Sequence, residues 1–246
     1  MRHLLILALA LGLMACGENA RGGAVVGGGG GGDGGSDVPR PQRIKCTEIV
    51  AVAVEVGGFS VFKYEAARPN ATADSAGCTP IEEDDEDSPA RCVDEELPAC
   101  SEPGLMPWTH VTRAQASESC ERSGYRLCTE EEWLLACGGV DHLPFPYGQV
   151  VHQGYCNGHK GGSGLEASGS REKCVSEFGA VDILGNAWEW IADDGRGGEV
   201  RYLGYSYKVT GVRPTADGMC DKGLQTGQET FDRLDVGFRC CKDLEG

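Results

Sequence analysis

The chain has 246 residues, a formal net charge of -16, 38 glycines and 13 cysteines. This length allows one or two domains, the cysteine content excludes an ordinary reduced cytosolic protein, and the acidic balance excludes nucleic acid as a partner, because binding phosphates needs a basic face. Thirteen is an odd number, so one cysteine must differ in role from the others.

Arg2 and His3 precede an apolar run from Leu4 to Leu13 that is too short to span a bilayer. Residues 1–15 therefore read as an export signal. Its end, Leu13-Met14-Ala15-Cys16, resembles a bacterial lipobox, in which the chain is cut before a cysteine that then carries lipid. Cys16 is accordingly the expected lipidation site, with a membrane as partner and the cell envelope, at the outer membrane or periplasmic face, as location. A plain secretory signal with a chance cysteine is the competing reading. Export would leave the remaining cysteines in an oxidising compartment, where a disulfide framework is the default.

Residues 16–45 form the expected anchor and tether. The run Gly27 to Gly32, with Gly34, Gly35, Pro39 and Pro41, offers nothing to bury, and a flexible chain of this length has a reach of roughly 30 Å. No Gly-Lys-Ser/Thr is present, which excludes a phosphate-binding loop. The folded domain is expected over residues 46–242. Thr47 to Phe62 is valine-rich and partly alternating, which predicts one or two strands with Gly57-Gly58 as a bend, and the alternation continues to Glu65.

Periodicity is then lost over an insertion at about residues 70–105 that carries Cys78, Cys92 and Cys100. From Ile81 to Glu102 only Arg91 opposes ten acidic residues. A solvated loop held by disulfides accounts for this composition; a calcium or basic-partner site competes, but the spacing does not match an EF-hand loop. Two short helices follow. Thr112 with Gln115 and Thr129 with Glu132 are capping boxes, and the helices they open end at Gly124 and at Gly138-Gly139. Trp133 and Cys137, four apart, share the buried face of the second. Beyond it glycine and serine dominate residues 158–170 and strands are short.

Pro107-Trp108, Val111-Thr112, Ala116, the run Arg126 to Trp133, Tyr147-Gly148, Cys156-Asn157, Gly185-Asn186-Ala187-Trp188-Glu189-Trp190 and Gly237-Phe238-Arg239-Cys240 occur in one order. In that order they resemble the formylglycine-generating enzyme family, or sulfatase-modifying factors. The resemblance implies an α+β fold, a loop-rich variant of the C-type lectin fold stapled by disulfides. It also implies bridges from Cys120 to Cys240 and from Cys137 to Cys220. From the cysteines that remain we assign Cys156 to Cys174 and Cys128 to Cys241, leaving the pairing of Cys46, Cys78, Cys92 and Cys100 open.

Members of the family bind calcium, and by position the resemblance places Asp182 as a charged ligand, with the carbonyls of Ile183, Gly185 and Ala187. A turn cap at Asp182 is the competing reading. A second calcium site would begin at Asn157 and Gly158, but its acidic and aromatic partners are not identifiable in the shortened stretch from Gly161 to Arg171. The family's oxidase chemistry uses copper(I) on two cysteine thiolates five positions apart, soft ligands that suit this ion. That pair should follow the strand Arg201 to Tyr207, where the matching residues here are Val209 and Pro214, and no two cysteines in the chain are five apart. Copper is therefore not supported.

Other catalytic groups are not evident. His152, Cys156 and His159 have metal-like spacing, but an oxidised Cys156 is no ligand. Glu189, between two tryptophans, suits a structural hydrogen bond as well as a raised pKa. The expectation is a calcium-stabilised envelope lipoprotein that binds a protein or glycan or acts as a scaffold. The competing expectation is a divergent oxidase converting a sulfatase cysteine to formylglycine through another cysteine pair.

Overall fold

In the computed structural model the described residues are 53–77, 97–158, 163–194, 199–208, 220, 225–228 and 233–244. The export signal, Cys16, the tether, Cys46, Cys78, Cys92, most of the acidic insertion, His159, Val209 and Pro214 lie outside them.

Gly57-Gly58 makes the first turn. Strands β1 (Ala53–Val56) and β2 (Phe59–Phe62) pair antiparallel with Val56 opposite Phe59. A two-residue hairpin of this kind needs positive φ at both central positions, and Gly57 and Gly58 supply φ of 51° and 114°. The alternation seen through Glu65 does not continue the strand. After Phe62 the chain turns inward and buries the Glu65 carboxylate.

Helix α1 (Arg113–Arg122) and helix α2 (Glu130–Gly138) each open on a complete capping box, at Thr112 with Gln115 and at Thr129 with Glu132. Each box satisfies backbone donors that the first helical turn leaves unpaired. Between the helices lies the short strand β3 (Arg126–Leu127). Ala116, Ser119 and Cys120 form the buried stripe of α1, and Trp133, Ala136 and Cys137 that of α2. Both stripes have the three- and four-residue spacing of one helix face.

Among the described residues, two four-stranded sheets carry the rest. Strand β4 (Trp188–Asp194) pairs antiparallel with β5 (Val200–Leu203) and parallel with β7 (Val236–Phe238), and β6 (Gln225–Gly227) forms the edge beside β5. Strand β8 (Cys240–Asp243) crosses to the other sheet, whose order is β1-β2-β8-β3. The strand expected over Arg201–Tyr207 is shorter than its sequence suggests. It stops at Leu203 because Gly204, with φ 95°, turns the chain so close to the Trp133 ring that an added Cβ would lie 3.4 Å from it.

Burial divides into two clusters. One gathers Val56, Trp133, Cys137, Phe145, Ile183, Ile191 and Leu203; the other gathers Phe62, Trp108, Val111, Trp188, Trp190, Tyr202 and Phe238. Each large apolar side chain removed from water contributes about 1.5–3 kcal/mol. Arg239, the single residue between β7 and β8, is fully buried where the chain passes between sheets. Its guanidinium donates to the carbonyls of Phe62, Lys63 and Val181 and to the Glu189 carboxylate, at 2.7 to 3.2 Å.

Among the described residues, four disulfides join Cys120 to Cys240, Cys128 to Cys241, Cys137 to Cys220 and Cys156 to Cys174. Neighbouring residues of a strand point to opposite faces. The consecutive Cys240 and Cys241 of β8 therefore enter different clusters and staple to different partners.

Candidate functional site

The turn from Asp182 to Ala187 is held in conformations that side-chain-bearing residues seldom adopt. Asp182, Gly185 and Asn186 have φ of 52°, 85° and 59°, and such backbone persists only where its surroundings fix it. Here the surroundings are polar and buried. Asn186 is bonded through every group it has. Its N–H donates to the Asn157 carbonyl at 2.6 Å, and its own carbonyl accepts from the Tyr207 N–H at 3.0 Å. Its side-chain oxygen accepts from Asn157 Nδ2 and the Glu166 N–H at 2.8 and 2.9 Å. Its Nδ2 donates to Glu65 Oε2 and the Glu166 carbonyl at 2.7 and 2.9 Å. Gly185 is obligatory beside it, since a Cβ would lie 2.6 Å from the Asn157 carbonyl.

Glu65 closes the turn from the other side, accepting from Ser168 Oγ at 2.9 Å and the Ala187 N–H at 3.1 Å. Burial, reinforced by the Asp182 and Glu189 charges, holds its carboxyl well above the usual range. Asp182 is only 3% exposed. Its Oδ2 accepts from the Gly169 N–H at 2.7 Å, while Oδ1 is buried without a hydrogen-bond partner. Burial pushes this carboxyl up to about 6, against the opposing Gly169 hydrogen bond and Arg239 charge.

The four positions marked as calcium ligands, Asp182, Ile183, Gly185 and Ala187, thus fall on one turn. Among the described residues, no hydrogen bond ends on the carbonyls of Ile183, Gly185 or Ala187. Two of these oxygens approach Gly204, where an added Cβ would lie 3.6 Å from the Ile183 oxygen and 3.8 Å from the Ala187 oxygen. A buried carboxylate oxygen without a partner, and carbonyls of the same turn on which no described hydrogen bond ends, are oxygen donors of the type that hard cations take. Among the described residues no group of three or more His, Cys, Asp or Glu side chains is placed to hold a metal.

Asn157 adjoins this turn. Its Nδ2 donates to the Gly164 carbonyl as well as to Asn186, and its Oδ1 is buried without a partner. Glu166, whose backbone brackets the Asn186 side chain, gives its carboxylate to Arg171 in a two-point pair at 2.6 and 2.8 Å. The sequence carries no local sign of Glu65, Glu166, Ser168 or Asn186 as members of one network, because their contacts run up to 122 residues along the chain.

The remaining candidates do not assemble. Cys156 is bonded to Cys174, and His152 is exposed and stacks on Tyr155 with ring centres 4.6 Å apart. Glu189 is wholly buried, accepting from Trp133 Nε1 at 2.7 Å and pairing with Arg239, a structural role. Beyond β5, Ser206 Oγ donates to the buried Asp235 at 2.7 Å, and Arg233 pairs with the same carboxylate at 3.0 Å.

Known proteins resemble this chain in sequence and in fold. Mouse formylglycine-generating enzyme is 31% identical over 100 residues, covering 35% of this chain and 27% of that protein. The mouse protein named inactive C-alpha-formylglycine-generating enzyme 2 is 28% identical over 153 residues, covering 55% of this chain and 48% of its own length. The chain thus spans less than half the length of either relative. The solved structure of PvdO from Pseudomonas aeruginosa superposes with a TM-score of 0.54 at 17% identity, over 76% of this chain and 80% of that one. With the two short helices, mixed sheets and four disulfides seen among the described residues, this likeness establishes the α+β fold as the formylglycine-generating-enzyme variant of the C-type lectin fold. The family model described as a sulfatase-modifying factor enzyme 1-like domain matches residues 23–244, and the chain belongs to that family.

Proposed function

We propose that this is a lipid-anchored envelope member of the family that lacks copper oxidase chemistry and works as a calcium-stabilised binding or scaffold module. The observation that carries the proposal is the state of its thiols. Among the described residues eight cysteines are joined in four bridges, and the positions that match the family's copper pair are Val209 and Pro214. Copper(I) needs soft, deprotonated thiolates, and a disulfide sulfur is not one.

Calcium is supported by the fit of the Asp182 turn. Asp182 Oδ1 and the Ile183, Gly185 and Ala187 carbonyls would hold it, and the ion would supply positive charge next to the buried Asp182 and Glu65 carboxylates. Two of those carbonyls, of Ile183 and Ala187, face Gly204, which carries no side chain. Anchoring is supported by Ala15-Cys16 after the apolar run, with the glycine-rich tether holding the domain just off the membrane. The partner is a protein or glycan presented at the envelope, an argument from the recognition loops common to this fold rather than from a site.

The oxidase reading is tested by incubating the full chain, its bridges intact and copper(I) supplied, with a peptide bearing the sulfatase cysteine motif. No aldehyde is expected by mass spectrometry; conversion of the cysteine to formylglycine would defeat the proposal.

A further inference from the structure

Residues 166–171 form a strap along the Asp182 turn, and consecutive residues of it bond to the two carboxylates buried there. Ser168 Oγ donates to Glu65 Oε2 at 2.9 Å, and the Gly169 N–H donates to Asp182 Oδ2 at 2.7 Å. The second bond decides what Asp182 has to offer. With Oδ2 taken the carboxylate is held in one orientation, and Oδ1 is left buried without a hydrogen-bond partner. At its start the strap is tied to the turn by the Glu166 backbone, which donates to Asn186 Oδ1 and accepts from Asn186 Nδ2, both at 2.9 Å. In its middle Ser168 exchanges backbone bonds with Leu105 and Gly104 at 2.8 and 2.7 Å. Gly169, with φ 86°, then turns the chain, and the far end closes on the near one. Arg171 Nε and Nη2 donate to the two carboxylate oxygens of Glu166 at 2.8 and 2.6 Å, and Nη1 donates to the Gly154 carbonyl at 3.1 Å.

We propose that this clasp of Arg171 on Glu166 is the positioning element of the calcium site: by closing the strap it keeps the Gly169 N–H on Asp182 Oδ2 and so reserves Oδ1 for the ion. The inference rests on the calcium reading of the Asp182 turn. A planar guanidinium engages both oxygens of a carboxylate at once and fixes direction as well as distance, which the point charge of an ammonium does not. Groups that orient a metal ligand without touching the metal carry about 10- to 100-fold in affinity. The sign of the effect separates positioning from charge. Beside burial, the largest influence on Asp182, the Glu166 charge raises its pKa and the Arg171 charge lowers it, so the two halves of the clasp oppose each other in the field an ion there would meet. Acting by charge alone, Arg171 would repel calcium and its neutralisation would tighten binding. Acting as a clasp, its loss weakens binding.

Isothermal titration calorimetry of the full chain, with calcium alone as the probe, tests this. Arg171→Lys keeps the charge but loses the two-point pair, and Glu166→Gln combined with Arg171→Gln removes both charges while leaving the net charge unchanged. Both variants should bind calcium more weakly than the unchanged chain, the double variant by about 10-fold or more; should the double variant fail to fold, Arg171→Lys decides alone. A clasp that served folding only would lower the melting temperature of these variants and leave calcium affinity as it is. Equal or tighter binding in either variant would overturn the clasp and leave the calcium reading standing. No calcium on the unchanged chain, or calcium that Asp182→Asn binds equally well, would remove the calcium reading of the turn and the clasp with it.

Discussion

Arg239 and Glu189 are both 0% exposed and are joined through both carboxylate oxygens. In water such a pair would be worth little, but inside the protein its two halves depend on each other. Removing one charge leaves the other buried and uncompensated, which costs about 3–5 kcal/mol. Glu189→Gln is therefore expected to lower the unfolding free energy by that amount, read as a lower urea midpoint with an unchanged slope, since the surface exposed on unfolding is the same. A loss under about 1 kcal/mol would mean that the Phe62, Lys63 and Val181 carbonyls suffice for Arg239. The Glu-between-tryptophans motif made Glu189 visible in the sequence, but not its partner 50 residues away. Asn186 was equally visible as a motif letter, and its bonds to Glu65 and Glu166 were not.

Among the elements, α2 has the most legible ends. Thr129 and Glu132 announce the capping box, and Trp133 and Cys137 announce the buried face, which Ala136 completes. Thr129→Ala should cost about 1 kcal/mol, the usual loss for such a cap. Burial pulls the Glu132 pKa up, but hydrogen bonds from Arg126 and the Thr129 N–H more than offset this, and the group titrates below its ordinary value. Its contribution is thus present above the unfolded-state pKa of about 4.3 and is lost as pH falls through the lower folded-state value. The stability difference between the native chain and Glu132→Gln should accordingly be largest near neutral pH and close as the solution is acidified below about pH 4. A difference that widened on acidification would assign the wrong sign to this interaction. Strand β5 ends at Leu203, short of the Tyr207 that its pattern suggests, because pattern alone cannot register Gly204 turning against Trp133, a contact set by tertiary packing.

At the scale of the whole molecule, the family order of motifs carried the fold further than periodicity could, because few elements here are long enough to be periodic. What it could not carry were the contacts between distant polar residues. The disulfides connect these scales. Cys120–Cys240, Cys128–Cys241 and Cys137–Cys220 span 120, 113 and 83 residues, separations for which the chain-entropy model gives about 4–5 kcal/mol each as an upper figure. They fasten both helices and β8 around the two core clusters, so structure, rather than redox chemistry, is the proposed use of these sulfurs. The direct test is a non-reducing peptide map of the full chain, alkylated before digestion. The account predicts linked peptides for Cys120–Cys240, Cys128–Cys241, Cys137–Cys220 and Cys156–Cys174 with no alkylation at these positions; a pair of alkylated thiols among them would contradict it and return a candidate copper site to the molecule.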